Sequence, residues 1–242
     1  MSYVKFLLHF SRGSIMNKKY NKNKFPLAKR ALLHFYHCKY LGNEEISGIL
    51  NECCTLEDVC ELEMQMMCEE NNDVLVSAVL LDASDEEREF LREKYKKNKS
   101  FVSLGLKFHI HPSGLQQWRD KVLDEISQLM EFELPKEDIF SRNKIEALIY
   151  VLERLIYFYE SYKLTNSDEL DDAKHKLEIY NDLLFTIRQI LNSDSNNIGY
   201  NVIRAKVLNR NVLINELEEI VGCSSTTIYH YIHLFQEQFY PK

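Results

Sequence analysis

Apolar residues recur at intervals of three and four along most of the chain, a spacing that predicts helices rather than strands. Residues 26–50 open with Pro26, which suits a first helical turn, and carry Leu32, Leu33, Phe35, Tyr36 and Tyr40 on one face before Gly42. Residues 51–70 read as a second helix with Thr55 as its N-cap. Residues 72–82 read equally as a short strand or as a helical turn leading onward. Ser84 followed by Glu87 is a capping box that opens the next helix. A short segment, Phe101–Phe108, and a longer helix, Pro112–Met130, follow, and Pro135 breaks the pattern. Beyond it the spacing predicts helices over 144–162, 170–191, 198–209, Ile214–Val221 and Ser225–Phe239, with polar connections at 164–170 and 192–197.

This order of elements predicts an all-α fold of two helical halves, each ending in a three-helix unit. Phe101 and Ile214 begin equivalent segments 113 residues apart, a loose internal repeat carried by pattern rather than identity. The expected domains are 25–134 and 139–242, preceded by a basic, disordered tail at 1–24. The terminal three-helix units fall at about 84–130 and 198–239. Only 7 Gly and 4 Pro among 242 residues agree with a fold poor in tight turns.

Both terminal units have the residue types of a helix-turn-helix. Such a motif needs apolar residues on the inner face of the first helix and a small residue where the helices cross. It also needs a turn tolerant of positive φ, and a capped second helix whose leading side chains enter the major groove. In the C-terminal unit Leu217 and Val221 face inward, Gly222 makes the turn and Cys223 follows it. Ser224 caps the next helix, and Ile228, Tyr231 and Ile232 pack it. That leaves Ser224, Ser225, Thr226, Tyr229 and His230 to lead into a groove. Glu218 stands where a small residue is expected. In the internal unit Leu104 and Phe108 face inward and Gly105 takes the crossing position. Leu115 and Trp118 anchor the second helix, and His111, Pro112, Ser113, Gln116 and Gln117 lead it. Here His109 occupies the turn, a residue that tolerates the left-handed region better than most.

Charge distribution supports this reading more than total charge does. The chain carries −7 overall, but the first 30 residues hold eight basic residues and no acidic ones, leaving −15 on the rest. A nucleic-acid surface on such a chain has to be local. Residues 88–107 contain seven basic residues (Arg88, Arg92, Lys94, Lys96, Lys97, Lys99, Lys107) against Glu89 and Glu93. Residues 195–215 contain Arg204, Lys206 and Arg210 and no acid. The expected phosphate contacts are therefore Arg92, Lys96, Lys97, Lys99 and Lys107 in the internal unit, and Arg204, Lys206 and Arg210 in the C-terminal one.

The stretch "DASDEEREFLREKYKKNKSFVSLGLKFHIHPSGLQQWRDKVLDEI" resembles region 4 of bacterial sigma factors. It is still more similar to the sigma-region-4-like regulators of Gram-positive phages, the ArpU and RinA type of late-gene activator. The C-terminal "IVGCSSTTIYHYI" resembles the same group. The likeness covers about 45 residues in each half. It implies a transcriptional regulator of phage or mobile-element origin that binds promoter DNA. The groove-facing positions it implies are His111, Ser113, Gln116 and Gln117, with Ser225, Thr226, Tyr229 and His230. The helices over 26–70 and 144–191 have no counterpart in that family, and no promoter-melting region is present.

Other chemistry finds little purchase. Six cysteines without a CxxC pair read as free thiols in a reducing cytoplasm. His34, His37 and Cys38 lie near Cys53 and Cys54, but their spacing matches no compact zinc motif. No P-loop, GxSxG, HExxH or dinucleotide fingerprint occurs, so neither an enzyme, a cofactor nor a metal is expected. The apolar run at 3–10 is too short and too poor in cleavage context for a secretory signal, no run reaches the length of a membrane span, and Met16 is an alternative start. The expected partners are double-stranded DNA and RNA polymerase. If the Tyr-rich stripe "IYVLERLIYFYESY" is only partly covered in the monomer, a homodimer is expected as well. The rival reading, motivated by the acidic balance, is a helical protein-interaction module acting on a transcription complex.

Overall fold

A computed structural model describes residues 25–37, 55–162, 168–193, 195–210 and 212–240. Among these residues every regular element is helical. The helices are α1 (Pro26–His37), α2 (Leu56–Asp82), α3 (Asp85–Leu91), α4 (Phe101–Phe108), α5 (Pro112–Met130), α6 (Arg142–Ser161), α7 (Asp168–Asn192), α8 (Ile198–Leu208), α9 (Ile214–Val221) and α10 (Ser225–Phe239). A π-helical turn, Arg92–Lys96, extends α3, and a short 3₁₀ turn spans Lys136–Asp138. The all-α expectation holds. The 72–82 alternative resolves as helix, because α2 runs unbroken to Asp82 and buries Leu75, Val76 and Val79 along one face. The expected tail at 1–24, the continuation of the first helix past His37, and residues 51–54 lie outside the described residues. No helix among those described is long and apolar enough to cross a membrane.

The chain divides into two compact units, Met1–Glu131 with Tyr157–Glu169, and Phe132–Ile156 with Leu170–Lys242. The sequence reading places everything beyond 139 in the second domain. The end of α6 instead belongs to the first unit, where Tyr162 donates its hydroxyl hydrogen to Glu63 on α2. An apolar stripe along one continuous helix does not reveal that its two ends pack in different places.

In the first unit α1 packs on α2, on α5 and on the π turn, burying Ala28, Ala31 and Leu32. The Ser84 capping box is present. Ser84 Oγ accepts from the Glu87 N–H at 3.2 Å, and the Glu87 carboxylate accepts from the Ser84 N–H at 2.9 Å. Phe90, fully buried, meets Phe101, Phe108 and Trp118 with ring centroids 6.2, 6.3 and 6.1 Å away. One aromatic side chain thus ties α3, α4 and α5 together. Burying it is worth roughly 1.5–3 kcal/mol before any aromatic geometry is counted.

In the second unit α8 packs against α9 and α10 around Val202, Ala205, Leu217 and Ile228. Val221, Cys223, Tyr231 and Ile232 close over that cluster, as the sequence pattern anticipates. Phe140 stacks on Phe235 at 5.6 Å, and Tyr240 donates to the Leu134 carbonyl at 2.8 Å, fixing the end of α10. The apolar part of the Tyr-rich stripe is mostly core: Val151, Leu152, Leu155, Phe158 and Tyr159 are buried, and of its large apolar residues only Tyr150 and Tyr157 remain widely exposed.

Candidate nucleic-acid interface

Helix α4 is short because it is capped at both ends. Ser100 Oγ accepts the Ser103 N–H at 3.1 Å, and His109 ends the helix in the left-handed region at φ 55°, ψ 32°. The Ile110 N–H then donates to the Gly105 carbonyl at 3.1 Å. A Cβ on Gly105 would come within 2.8 Å of the Ile110 carbonyl oxygen, so the absence of a side chain there permits the turn. Helix α5 starts at once, with His111 as N-cap and Pro112 in its first turn. His111 Nδ1 accepts the Ser113 N–H at 3.3 Å and lies 2.7 Å from Ser113 Oγ. His111 and Ser113 are exposed but engaged with each other, whereas Gln116 and Gln117 project from the first turns of α5 into solvent. No acidic residue lies in that first turn.

Three of the seven basic residues of 88–107 gather around one carboxylate. Glu93 is buried, yet Lys97 Nζ lies 2.6 Å and Lys99 Nζ 2.5 Å from its oxygens, with Lys107 Nζ at 3.6 Å. Hydrogen bonds from Lys97 and Lys99 push the Glu93 carboxyl down to about 2. Lys107 also binds Glu89 at 2.6 Å, which holds the Glu89 carboxyl below its ordinary range and the Lys107 ammonium above its own. The π-helical turn brings this about: the Lys97 N–H reaches the Arg92 carbonyl and the Lys99 N–H the Glu93 carbonyl, so the backbone curls lysines over Glu93. Two carboxylates, Glu93 and Glu89, do not neutralise three ammonium groups, and the cluster keeps a net positive charge. Lys96 stands exposed beside it with no partner among the described residues, and Arg92 lies 3.9 Å from Glu89. Lys94, half-buried, donates to the Lys99 carbonyl and sits 4.6 Å from the Phe101 ring, with burial lowering its pKa. Sequence counting enters Glu93 only as an opposing charge and misses that it gathers the lysines. The Glu93–Lys97 spacing of four residues was the available signal, and it points to one of the three lysines.

The C-terminal unit has the same local plan with different electrostatics. Gly222 ends α9 at φ 72°, ψ 30°, and Ser224 Oγ accepts the Thr227 N–H at 3.4 Å as the cap of α10. Thr226, Tyr229 and His230 are exposed, and Ser225 is half-buried. Glu218 does not crowd the crossing. Its carboxylate reaches across the turn and accepts the Ser225 N–H, placing a negative charge at the N-terminus of α10. The three cations expected to hold phosphates are engaged elsewhere. Arg204 donates twice to the Ile190 carbonyl, at 3.2 and 3.0 Å, closing the C-terminal end of α7. Lys206 donates to the Arg210 carbonyl at 2.9 Å, and burial lowers its pKa. Arg210 pairs with Asp138, which also holds the fully buried Lys144 at 2.8 Å. Residues 212–240 contain no Lys or Arg and four carboxylates: Glu216, Glu218, Glu219 and Glu237. Arg204, Lys206 and Arg210, the cations expected beside α10, thus each have a partner within the second unit.

No group of side chains suited to a metal ion occurs among the described residues. In comparisons with known proteins, no family model, no curated protein and no solved structure matches the chain.

Proposed function

We propose that the chain is a sequence-specific DNA-binding transcriptional regulator whose duplex contact is made by the first unit. In this reading α4, the His109 turn and α5 are a helix-turn-helix, and α5 enters the major groove with Gln116 and Gln117 at base edges. His111 and Ser113, which cap α5, hold its N-terminus toward the backbone. Lys97, Lys99 and Lys107 gathered on Glu93, with Lys96 and Arg92 beside them, meet phosphates. The observation that carries the proposal is the coincidence, in one unit, of an acid-free, exposed leading turn of α5 with a cation cluster that outnumbers its carboxylates. The −15 balance outside the first 30 residues makes such a concentration the exception in this chain.

The test is duplex selection from a random pool with the full chain, followed by anisotropy titration of the selected duplex and a scrambled one. Gln117→Ala costs about 1–3 kcal/mol on the selected duplex and little on the scrambled one. Lys96→Ala weakens both and lowers the salt slope by about one. If selection enriches nothing and neither substitution moves affinity, the proposal is wrong.

A further inference from the structure

The second unit presents an outer face that suits a protein rather than a nucleic acid. Leu213, the extended N-cap of α9, and Ile220 near the other end of that helix are both exposed, and Glu216 and Glu219 lie between them in the chain. Leu213 is 64% and Ile220 54% exposed. Glu216 accepts the Leu213 N–H at 2.9 Å, and no ion pair among the described residues reaches Glu216 or Glu219. Phosphate is disfavoured here twice over: residues 212–240 supply no Lys or Arg, and the carboxylate of Glu218 already occupies the N-terminus of α10.

We propose that this face of α9 docks a lysine- or arginine-rich amphipathic helix of a partner protein. Leu213 and Ile220 set an exposed apolar side chain at each end of α9, a short apolar row for the apolar stripe of an amphipathic partner helix. The carboxylates of Glu216 and Glu219 flank that row and match cations at the edges of a basic helix. An acidic or uncharged helix would leave them opposed or unmatched. The inference does not depend on the first unit binding DNA, since it uses none of the same residues.

The test uses the full chain and two fluorescein-labelled peptides of about 18 residues with identical leucine positions, one otherwise lysine and the other otherwise glutamate. The lysine peptide binds at least about tenfold tighter, and its binding weakens as salt rises. Glu219→Lys and Ile220→Asn each reduce that binding about five- to tenfold while the thermal midpoint stays put, as exposed positions allow. Glu219→Gln, which removes the charge with little change of shape, gives an intermediate loss. Equal binding of the two peptides, or binding indifferent to all three substitutions, overturns the proposal. So does a chain that sediments as a dimer and becomes monomeric with Ile220→Asn, because a second copy then covers the face. Displacement of the lysine peptide by duplex DNA, with Ile220→Asn weakening the duplex, would make the face a nucleic-acid surface and overturn it too.

Discussion

Lys97 Nζ lies 2.6 Å from Glu93 Oε1, the lysine side chain 53% exposed and the glutamate side chain 3%. A buried acid thus holds cations at the surface, so the positive patch is positioned from below. The consequence for pH follows from the direction of the shift. The Glu93 carboxyl titrates at about 2 in the folded chain, below its ordinary 4.5, so its contribution to stability is complete above the ordinary value. That contribution is lost as pH falls through the window from about 4.5 to about 2. Urea midpoints measured across that window fall steeply for the native chain and less steeply for Glu93→Gln, which is already the less stable of the two at neutral pH. Parallel curves would show that Glu93 is not the acid-sensitive group.

The two turns respond differently to an added methyl group. Gly222 has a left-handed φ of 72° and open space where a Cβ would stand, so Gly222→Ala costs only the left-handed strain, about 1–2 kcal/mol. Gly105 is helical, where Ala is otherwise favoured by about 1 kcal/mol, yet its Cβ would meet the Ile110 carbonyl oxygen at 2.8 Å. The backbone of the turn must move to relieve that contact. Gly105→Ala therefore destabilises by more than Gly222→Ala, about 2–4 kcal/mol in urea unfolding. The reverse order would mean that the α4–α5 turn yields easily.

Local signals in the sequence located most of these features. Pro112 and Met130 bound α5 where the apolar period begins and ends, Ser84 and Glu87 form their capping box, and Gly222 ends α9. Each of these depends on residues a few positions apart. The cation partners do not. Arg204 meets a carbonyl 14 residues away, Arg210 a carboxylate 72 away, and Lys107 a carboxylate 18 away. Counting charges in a window does not show which Lys and Arg already have partners in the fold, nor which carboxylates gather them. The same locality explains Glu218, whose side chain reads as a steric intruder until its bond to Ser225 is known.

Removal of these engaged arginines separates structural from binding roles. Arg204→Ala frees the Ile190 carbonyl at the end of α7 and costs about 2 kcal/mol, in line with hydrogen bonds from a charged donor. Arg210→Ala takes one partner from Asp138 but leaves it Lys144, so the loss is smaller than for an orphaned buried charge, about 1–3 kcal/mol. Neither substitution alters duplex affinity once the variants are measured well below their melting transitions. A selective loss of DNA binding without loss of stability would return these residues to the interface.

Glu218→Gln distinguishes the two ways of using the second unit. The amide oxygen still accepts the Ser225 N–H, so the cap persists, and only the favourable charge at the N-terminus of α10 is lost, about 0.3–1 kcal/mol. If α10 lay against a duplex, removing a carboxylate from its N-terminus would tighten binding and steepen the salt dependence. With the duplex on the first unit, affinity and salt slope stay the same while stability drops slightly. Anisotropy titrations at two salt concentrations, beside urea unfolding of the same preparations, read both quantities. A tighter complex with Glu218→Gln would place α10 at the DNA after all.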